Sequence, residues 1–378
     1  MTVPDAAALA AVHERFRRDD LVVSVATRSE FAEVEALARA ADPHEIFRPL
    51  TARLIAWFVE ENPFGPGFLV VARPTPGGPV VGHFLFYANR LVHVPLNALG
   101  ERAVPEVGTP LRGDRAAASE IPAYLYVHLY VAPDYRRRGV FAAMFAFGLQ
   151  VLKAMGVPFA YTVPNPRSSP GFVKFGVPLL GMLPVRMAPA HAAWGALSRV
   201  SAPGARAMAV ERVERFDETM LQVADCGGGA VRGARSVAGL EWRFPQRPDA
   251  EYAVWKVHRG GACAGYAVTR VLEIQAYRVL AICDVALDRF DPGTVGTLVR
   301  EVRRQERAQR PSLVMLQGGP PALAAQRALA RAGLVKVPNR FLPQPVAVFG
   351  GAPGESGSTS GLPTLDRWCF TPCDWDVF

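Results

Sequence analysis

The sequence predicts an α/β (α+β) fold of two similar domains, each a mixed, mostly antiparallel central sheet flanked by helices. Three observations carry this expectation. An apolar strand, Tyr124 to Val131, runs through a proline turn and three arginines into an apolar helix, Val140 to about Met155. Short-turn strand pairs precede that strand–helix–strand unit, the mark of a mixed sheet. The same kind of pattern returns after a Pro/Gly segment near residue 200, and 378 residues exceed what one core usually holds.

The elements follow in order. Asp5 to Arg18 reads as a short amphipathic helix, and Leu21 to Ala26 as a strand. Ser29 is expected to cap a helix from about Glu30 to Ala41, and a second helix fits Leu50 to Glu61. Strands Phe68–Arg73 and Val80–Asn89 are joined by Pro-Thr-Pro-Gly-Gly-Pro, a hairpin signal, and Leu91–Val94 continues the second arm. Asn97 to Glu120, rich in Gly, Pro and charge, reads as a long loop. After the arginine turn and its helix come a strand at Phe159–Val163, a short helix at Ser169–Phe175 and a strand at Leu179–Val185. This places a first domain at 1–200 with its core at 21–188, a linker at 201–207, and a second domain at 208–378. The second repeats the order: a helix at Phe216–Ala224, strands at Tyr252–Val257, Ala264–Val271 and Tyr277–Leu287, a helix at Gly293–Gln309, a strand at Leu313–Leu316 and a helix at Ala322–Ala332. Gly350 to Leu362 is a Gly/Ser/Pro tract. Beyond it, Trp368 and Trp375 with Asp374 and Asp376 predict an end that packs back on the body.

Half the residues are apolar and a fifth charged, the balance of a folded globular chain. No apolar run approaches the roughly 20 residues of a membrane helix, and the N-terminus lacks the layout of a secretory signal, so a cytoplasmic protein with no membrane partner is expected. The net charge of +8 has no basic block interleaved with aromatics, which favours a polyanionic small molecule over nucleic acid as its partner. Cys226, Cys263, Cys283, Cys369 and Cys373 are scattered, with one Cys-x3-Cys pair and no nearby histidine; no metal site is expected.

The segment Val131-Ala-Pro133-Asp-Tyr-Arg136-Arg137-Arg138-Gly139-Val140-Phe141-Ala142 carries the chemistry. A strand that stops at a basic, glycine-containing turn and restarts as a helix builds an anion site. The first helical amides lack partners, and the helix dipole is positive there. This segment resembles the pyrophosphate loop of the GNAT N-acetyltransferase superfamily, Val-x-Pro-x-x-Arg/Gln-x-x-Gly-x-Gly/Ala, at Val131, Pro133, Arg136 and Gly139; Phe141 departs from the small last residue. The element order over residues 21–188 matches as well. The second domain looks like a degenerate copy, because Asp288-Arg-Phe-Asp291-Pro-Gly-Thr replaces the arginine loop and puts acid where phosphate needs positive charge.

The resemblance implies acetyl-CoA as co-substrate. Amides of Arg137, Arg138, Gly139, Val140, Phe141 and Ala142 would hold its diphosphate, and the arginines, Arg136 included, would add charge-assisted contacts. The backbone of Leu129, Tyr130 and Val131 would pair with the pantetheine arm. Period-two alternation puts Tyr124, Tyr126, His128 and Tyr130 on one face of the strand and Leu125, Val127, Leu129 and Val131 in the core. On that polar face His128, with Tyr126 beside it, is the candidate base, with a bulge able to change the faces; His83, His93, Tyr87 and Asp374 are outsiders. The superfamily's leaving-group tyrosine falls on Phe172, which leaves Ser168, Ser169, a water or no group as the acid. Asn165 reads either as a pantetheine contact or as an Asn-Pro turn former. The expected function is an acetyl-CoA-dependent N-acetyltransferase acting on a primary amine of a small molecule, aminosugar-, polyamine- or antibiotic-like. The alternatives are a non-catalytic acyl-CoA-binding or regulatory protein and a transferase of longer acyl or aminoacyl groups. A homo-oligomer is compatible with the sequence.

Overall fold

A capping arrangement at Thr27 begins the first helical layer: its amide and hydroxyl both bond the Glu30 carboxylate, at 2.7 and 2.8 Å, two residues before the expected cap at Ser29. In this computed structural model the described residues are 20–41, 50–93, 119–190, 208–222, 231–274, 276–319, 323–350, 365 and 368–375. The helix expected at Asp5–Arg18, nearly all of the Asn97–Glu120 loop, the linker at 201–207 and the tract after Gly350 lie outside them.

The described residues form two compact units. The first holds β1 (Val22–Val25), α1 (Phe31–Ala40), α2 (Ala52–Val59), β2 (Phe68–Arg73), most of β3 (Gly82–His93), β4 (Ser119–Val131) from Ile121, α3 (Val140–Ala154), β5 (Phe159–Thr162), α4 (Ser169–Lys174) and β15 (Pro345–Gly350). β1, β2 and β3 are antiparallel neighbours, with Val22 opposite Arg73 and Phe68 opposite Phe86. β4 follows β3 in the sheet, β5 runs parallel to β4, and β15 lies antiparallel to β5. Thr51 caps α2 by accepting from the Leu54 amide at 3.1 Å, and the helix buries Leu54, Ile55, Trp57 and Phe58. Arg73 on β2 ties α1 to the sheet through Glu30 and Glu33, each at 2.7 Å. On the other face α3 buries Val140, Met144, Phe145, Phe147, Leu149, Val151 and Leu152. It sits so close to β3 that a Cβ at Gly148 would meet the Phe86 ring at 2.3 Å.

The second unit holds β7 (Val185–Pro189), β8 (Met208–Val213), α5 (Glu218–Gln222), β9 (Val231–Gly233), α6 (Val237–Arg243), β10 (Ala253–Arg259), β11 (Ala262–Ile274), β12 (Tyr277–Leu287), α7 (Pro292–Gln305), β13 (Leu313–Gln317), α8 (Leu323–Arg331) and β14 (Val335–Val337), with β6 (Leu179–Met182) starting at the boundary. Its sheet runs β14-β7-β13-β12-β11-β10-β8, antiparallel except for the β12–β13 pair that α7 connects. The same strand–helix–parallel-strand unit therefore appears twice, as the sequence pattern predicts.

The units are not contiguous halves of the chain. β7, which falls within the first domain as read from the sequence at 1–200, pairs with β13 along Val185–Pro189, whereas β15, from near the end, pairs with β5. Strand partners are chosen by edge complementarity over long sequence separations, which a local pattern does not encode. The C-terminal segment packs as expected: Trp368, Phe370 and Trp375 are buried. Buried Arg243, from the Trp242–Phe244 segment, donates to the carbonyls of Pro372 and Trp375 at 3.1 and 2.7 Å.

Candidate active site

The loop after β4 is built to leave amides free. Ala132 closes onto the Val81 carbonyl at 2.8 Å, Pro133–Tyr135 make one tight turn, and Arg136 Nε donates to the Val131 carbonyl at 3.0 Å. Arg137 and Gly139 both take left-handed backbone, φ 62° and 83°, a conformation that glycine adopts without strain. These two reversals turn the chain so that the first bond of α3 runs from Ala143 to the Gly139 carbonyl. Among the described residues, no amide from Arg137 through Ala142 makes a backbone hydrogen bond of normal distance and angle. The side chains of Arg137 and Arg138 are exposed, Arg138 lying 5.4 Å from the Tyr135 ring. Unsatisfied donors, a helix N-terminus and arginines converge at one point.

Phe141 does not crowd this turn. Its ring packs edge-on against Phe172 and Phe175 of the α4 region, at 5.3 and 5.4 Å, and stacks on Phe145. The bulk that departs from the loop pattern is spent on anchoring α4.

β4 borders the loop with a strand edge. Its register with β5 is confined to Tyr124–Ala160 and Leu125–Tyr161, so the following residues through Val131 have no β5 partner. His128 breaks the strand, with φ 49°. One residue in that region shifts the alternation, so the single face expected for Tyr124, Tyr126, His128 and Tyr130 does not exist. Tyr124 and Tyr126 lie in the α3-side core, which Leu129 and Val131 rejoin after the break. His128 is half-buried, its ring 5.6 Å from Phe58 of α2, and the Tyr130 ring lies 5.9 Å from that of His83.

Tyr126 is therefore a core residue. It is packed among Phe84, Phe86, Phe145 and Phe172, its hydroxyl has no hydrogen-bond partner, and burial pushes its phenol well above the ordinary tyrosine range. Two further candidates are already engaged. Ser169 Oγ donates to the Asn165 carbonyl at 2.8 Å. Asn165 Oδ1 accepts the amides of Arg167 and Ser168, both at 2.9 Å, so the turn-forming role is realised. Phe172 is buried.

The structure brings together the loop 136–142, the edge at Leu129–Val131 and His128. It also brings in His83, which the sequence reading set aside. On β3, Phe84 and Phe86 face α3, so His83 and Tyr87 face the other way; the aromatic alternation of that strand was the available signal. Burial, with a smaller contribution from nearby His128, lowers the His83 imidazole to about 3. The folded protein keeps this ring neutral, whereas an unfolded chain protonates it below its ordinary value of 6.5. Stability should thus be unaffected by this group above that pH and should fall by about 1 kcal/mol per unit as acid is added, levelling off near the folded value. Urea unfolding of wild type and His83→Phe at pH 7 and pH 5 checks this: the variant should lose part of the wild-type pH slope.

The corresponding turn of the second unit is closed. Asp291 caps α7 by accepting the amides of Gly293 and Thr294 at 2.9 and 3.0 Å, and Asp288 pairs with Arg259 at 3.0 Å. The helix start that could take a phosphate already carries a carboxylate. Among the described residues no helix is long and apolar enough to cross a membrane.

This arrangement defines a class by fold: over most of its length the chain has the two-domain fold of the GCN5-related N-acetyltransferases. It is similar to a GCN5-related N-acetyltransferase from Anabaena variabilis at 12% identity, with a TM-score of 0.57 over 87% of this chain and 72% of that one. A GCN5-related N-acetyltransferase from Kribbella flavida gives 14% identity and a TM-score of 0.54 over 88% and 71%. A protein of unknown function from Enterococcus faecalis, described as a probable N-acyltransferase, gives 12% and 0.53 over 79% of this chain and 65% of that one. No protein-family model matches the sequence, and no curated protein matches it.

Proposed function

We propose that the protein is an acetyl-CoA-dependent N-acetyltransferase acting on a primary amine of a small molecule. The observation that carries this reading is the run of amides at Arg137–Ala142 that, among the described residues, make no backbone hydrogen bond of normal geometry, beside the stretch of β4 that has no β5 partner. The solved structures that share the fold include proteins described as N-acetyltransferases and as a probable N-acyltransferase. The loop amides and Arg136–Arg138 hold the diphosphate, and the backbone of Leu129, Tyr130 and Val131 pairs with the pantetheine amides. The bound cofactor supplies an activated thioester carbonyl. His128 takes the proton of the attacking amine, directly or through one water. Tyr126 and Phe172 are buried and the Ser168 and Ser169 hydroxyls are engaged by Asn165, so none of them would serve as acid, and the modest pKa of a thiol would permit the leaving group to depart unassisted.

Calorimetry with acetyl-CoA, followed by thiol release over a panel of aminosugars and polyamines, tests the reading. His128→Ala should lower kcat by about a hundredfold while leaving the acetyl-CoA affinity within a few-fold. A His128→Ala enzyme with wild-type turnover would remove that residue from the reaction. The same buried Phe172 and engaged Ser169 favour a second reading, a protein that binds acyl-CoA without turnover; binding with no thiol release over the panel would select it. A preference for longer acyl groups has less support, because Phe145 and Phe147 are core residues and do not line a cleft.

A further inference from the structure

Among the described residues, His83 is the buried imidazole of the first unit that the proposed reaction leaves unused. It projects from β3 to the same side as His128 and Tyr130, and it is almost wholly excluded from solvent. Neither ring nitrogen completes a hydrogen bond of normal geometry. The polar group it faces is the main chain of His128. Buried polar groups are nearly always paired, and an unpaired one costs about 1–3 kcal/mol. The group opposite is itself unusual, since His128 holds left-handed backbone, which is uncommon for a residue with a Cβ. Two costly features thus meet at one point, beside the strand edge left open by β5.

We infer that His83 is a positioning residue: its ring N–H engages the His128 main chain, holds the strand break in its left-handed form, and so sets the direction of the His128 ring. A neutral imidazole carries one N–H for this purpose. An apolar side chain at this position would pack equally well but offer no donor. Tyr126 could not substitute, because its hydroxyl lies on the opposite face of the sheet, in the α3-side core. The inference rests on the reading of His128 as the base, but its principal test does not require turnover.

The experiment compares full-length wild type, His83→Phe and His83→Gln, the last keeping a side-chain N–H. Histidine-labelled protein gives the ring resonances of His128, assigned by their loss in His128→Gln. Acetyl-CoA affinity and kcat for the best amine are measured in parallel. His83→Phe should shift the His128 ring resonances and lower kcat by about tenfold or more, with acetyl-CoA affinity within about twofold. His83→Gln should stay close to wild type in both. Unmoved His128 resonances in His83→Phe, or equal damage in His83→Gln, would overturn the inference. Should His83→Phe fail to fold, His83→Met against His83→Gln makes the same comparison. A wild type that binds no acetyl-CoA defeats the functional reading, and the resonance comparison then decides the role of His83 alone.

Discussion

Replacing Arg138 with Glu and Gly139 with Asp together should cut acetyl-CoA affinity by at least about a hundredfold. The pair changes the local charge by three units at the turn where, among the described residues, no amide from Arg137 through Ala142 makes a backbone hydrogen bond of normal geometry. At contact distance, each unit is worth between about 1 kcal/mol in a water-like medium and about 4 kcal/mol near a protein surface, and about 3 kcal/mol in total already exceeds a hundredfold. The introduced carboxylate would also fold back on the helix start, as Asp291 does in the second unit. Folding should survive, since aspartate tolerates left-handed backbone better than most residues and position 139 is exposed. Calorimetry on the folded variant is the check, and raising the salt should narrow the gap from wild type. Binding within tenfold of wild type would mean that the diphosphate is held elsewhere.

Arg235→Met should be the most destabilising single change in the second unit, by about 3–5 kcal/mol. Arg235 is nearly buried between Asp284, at 2.8 and 3.0 Å, and Asp374, at 2.7 and 3.1 Å. Asp284 also accepts from Tyr266 and from Thr371 of the C-terminal segment, at 2.8 and 2.7 Å. Burial alone would raise the Asp284 carboxyl, yet Arg235 and these hydrogen bonds hold it below the usual range. Removing the guanidinium strands two carboxylates without their cation and frees the segment that carries Trp368, Phe370 and Trp375. For a unit of this size the loss corresponds to a fall in Tm of about 10 °C. Scanning calorimetry should show one transition moving down. Because Asp284 is depressed, its stabilising contribution is complete above the unfolded-state carboxylate pKa and is lost only as pH falls through the lower folded value. The wild type should therefore keep this contribution at pH 5. An Arg235→Met variant that melts with the wild type would show that the network adds nothing beyond its own desolvation cost.

Much of this was legible in the linear chain. Val131, Pro133, Arg136 and Gly139 mark the turn between an apolar strand and an apolar helix, and the structure places a turn and a helix start there. The repeat of strand–helix–strand announced the second unit, and Asp288 with Asp291 announced that its turn is closed. Other features were hidden for identifiable reasons. The tyrosine face of β4 was read from strict alternation, which holds only while every residue stays extended; His128 does not, and one left-handed residue moved Leu129 and Val131 to the side already occupied by Tyr126. Ser169 and Asn165 looked available because a sequence shows side-chain chemistry but not which acceptor a hydroxyl has already found. His83 was passed over because its solvent exclusion is created by residues distant in the chain.

Local chemistry, then, was determined by the sequence itself: where strands and helices begin, where a phosphate could be met by backbone amides, and which terminal residues are too apolar to stay in water. Only tertiary structure decided that β15 completes the first sheet and β7 the second, that Tyr126 is core and His128 is not, and that Arg235, Asp284 and Asp374 share one buried cluster. The physical reason is that propensity and capping act over a few residues, whereas pairing of strand edges and desolvation of charge depend on neighbours brought together from far along the chain.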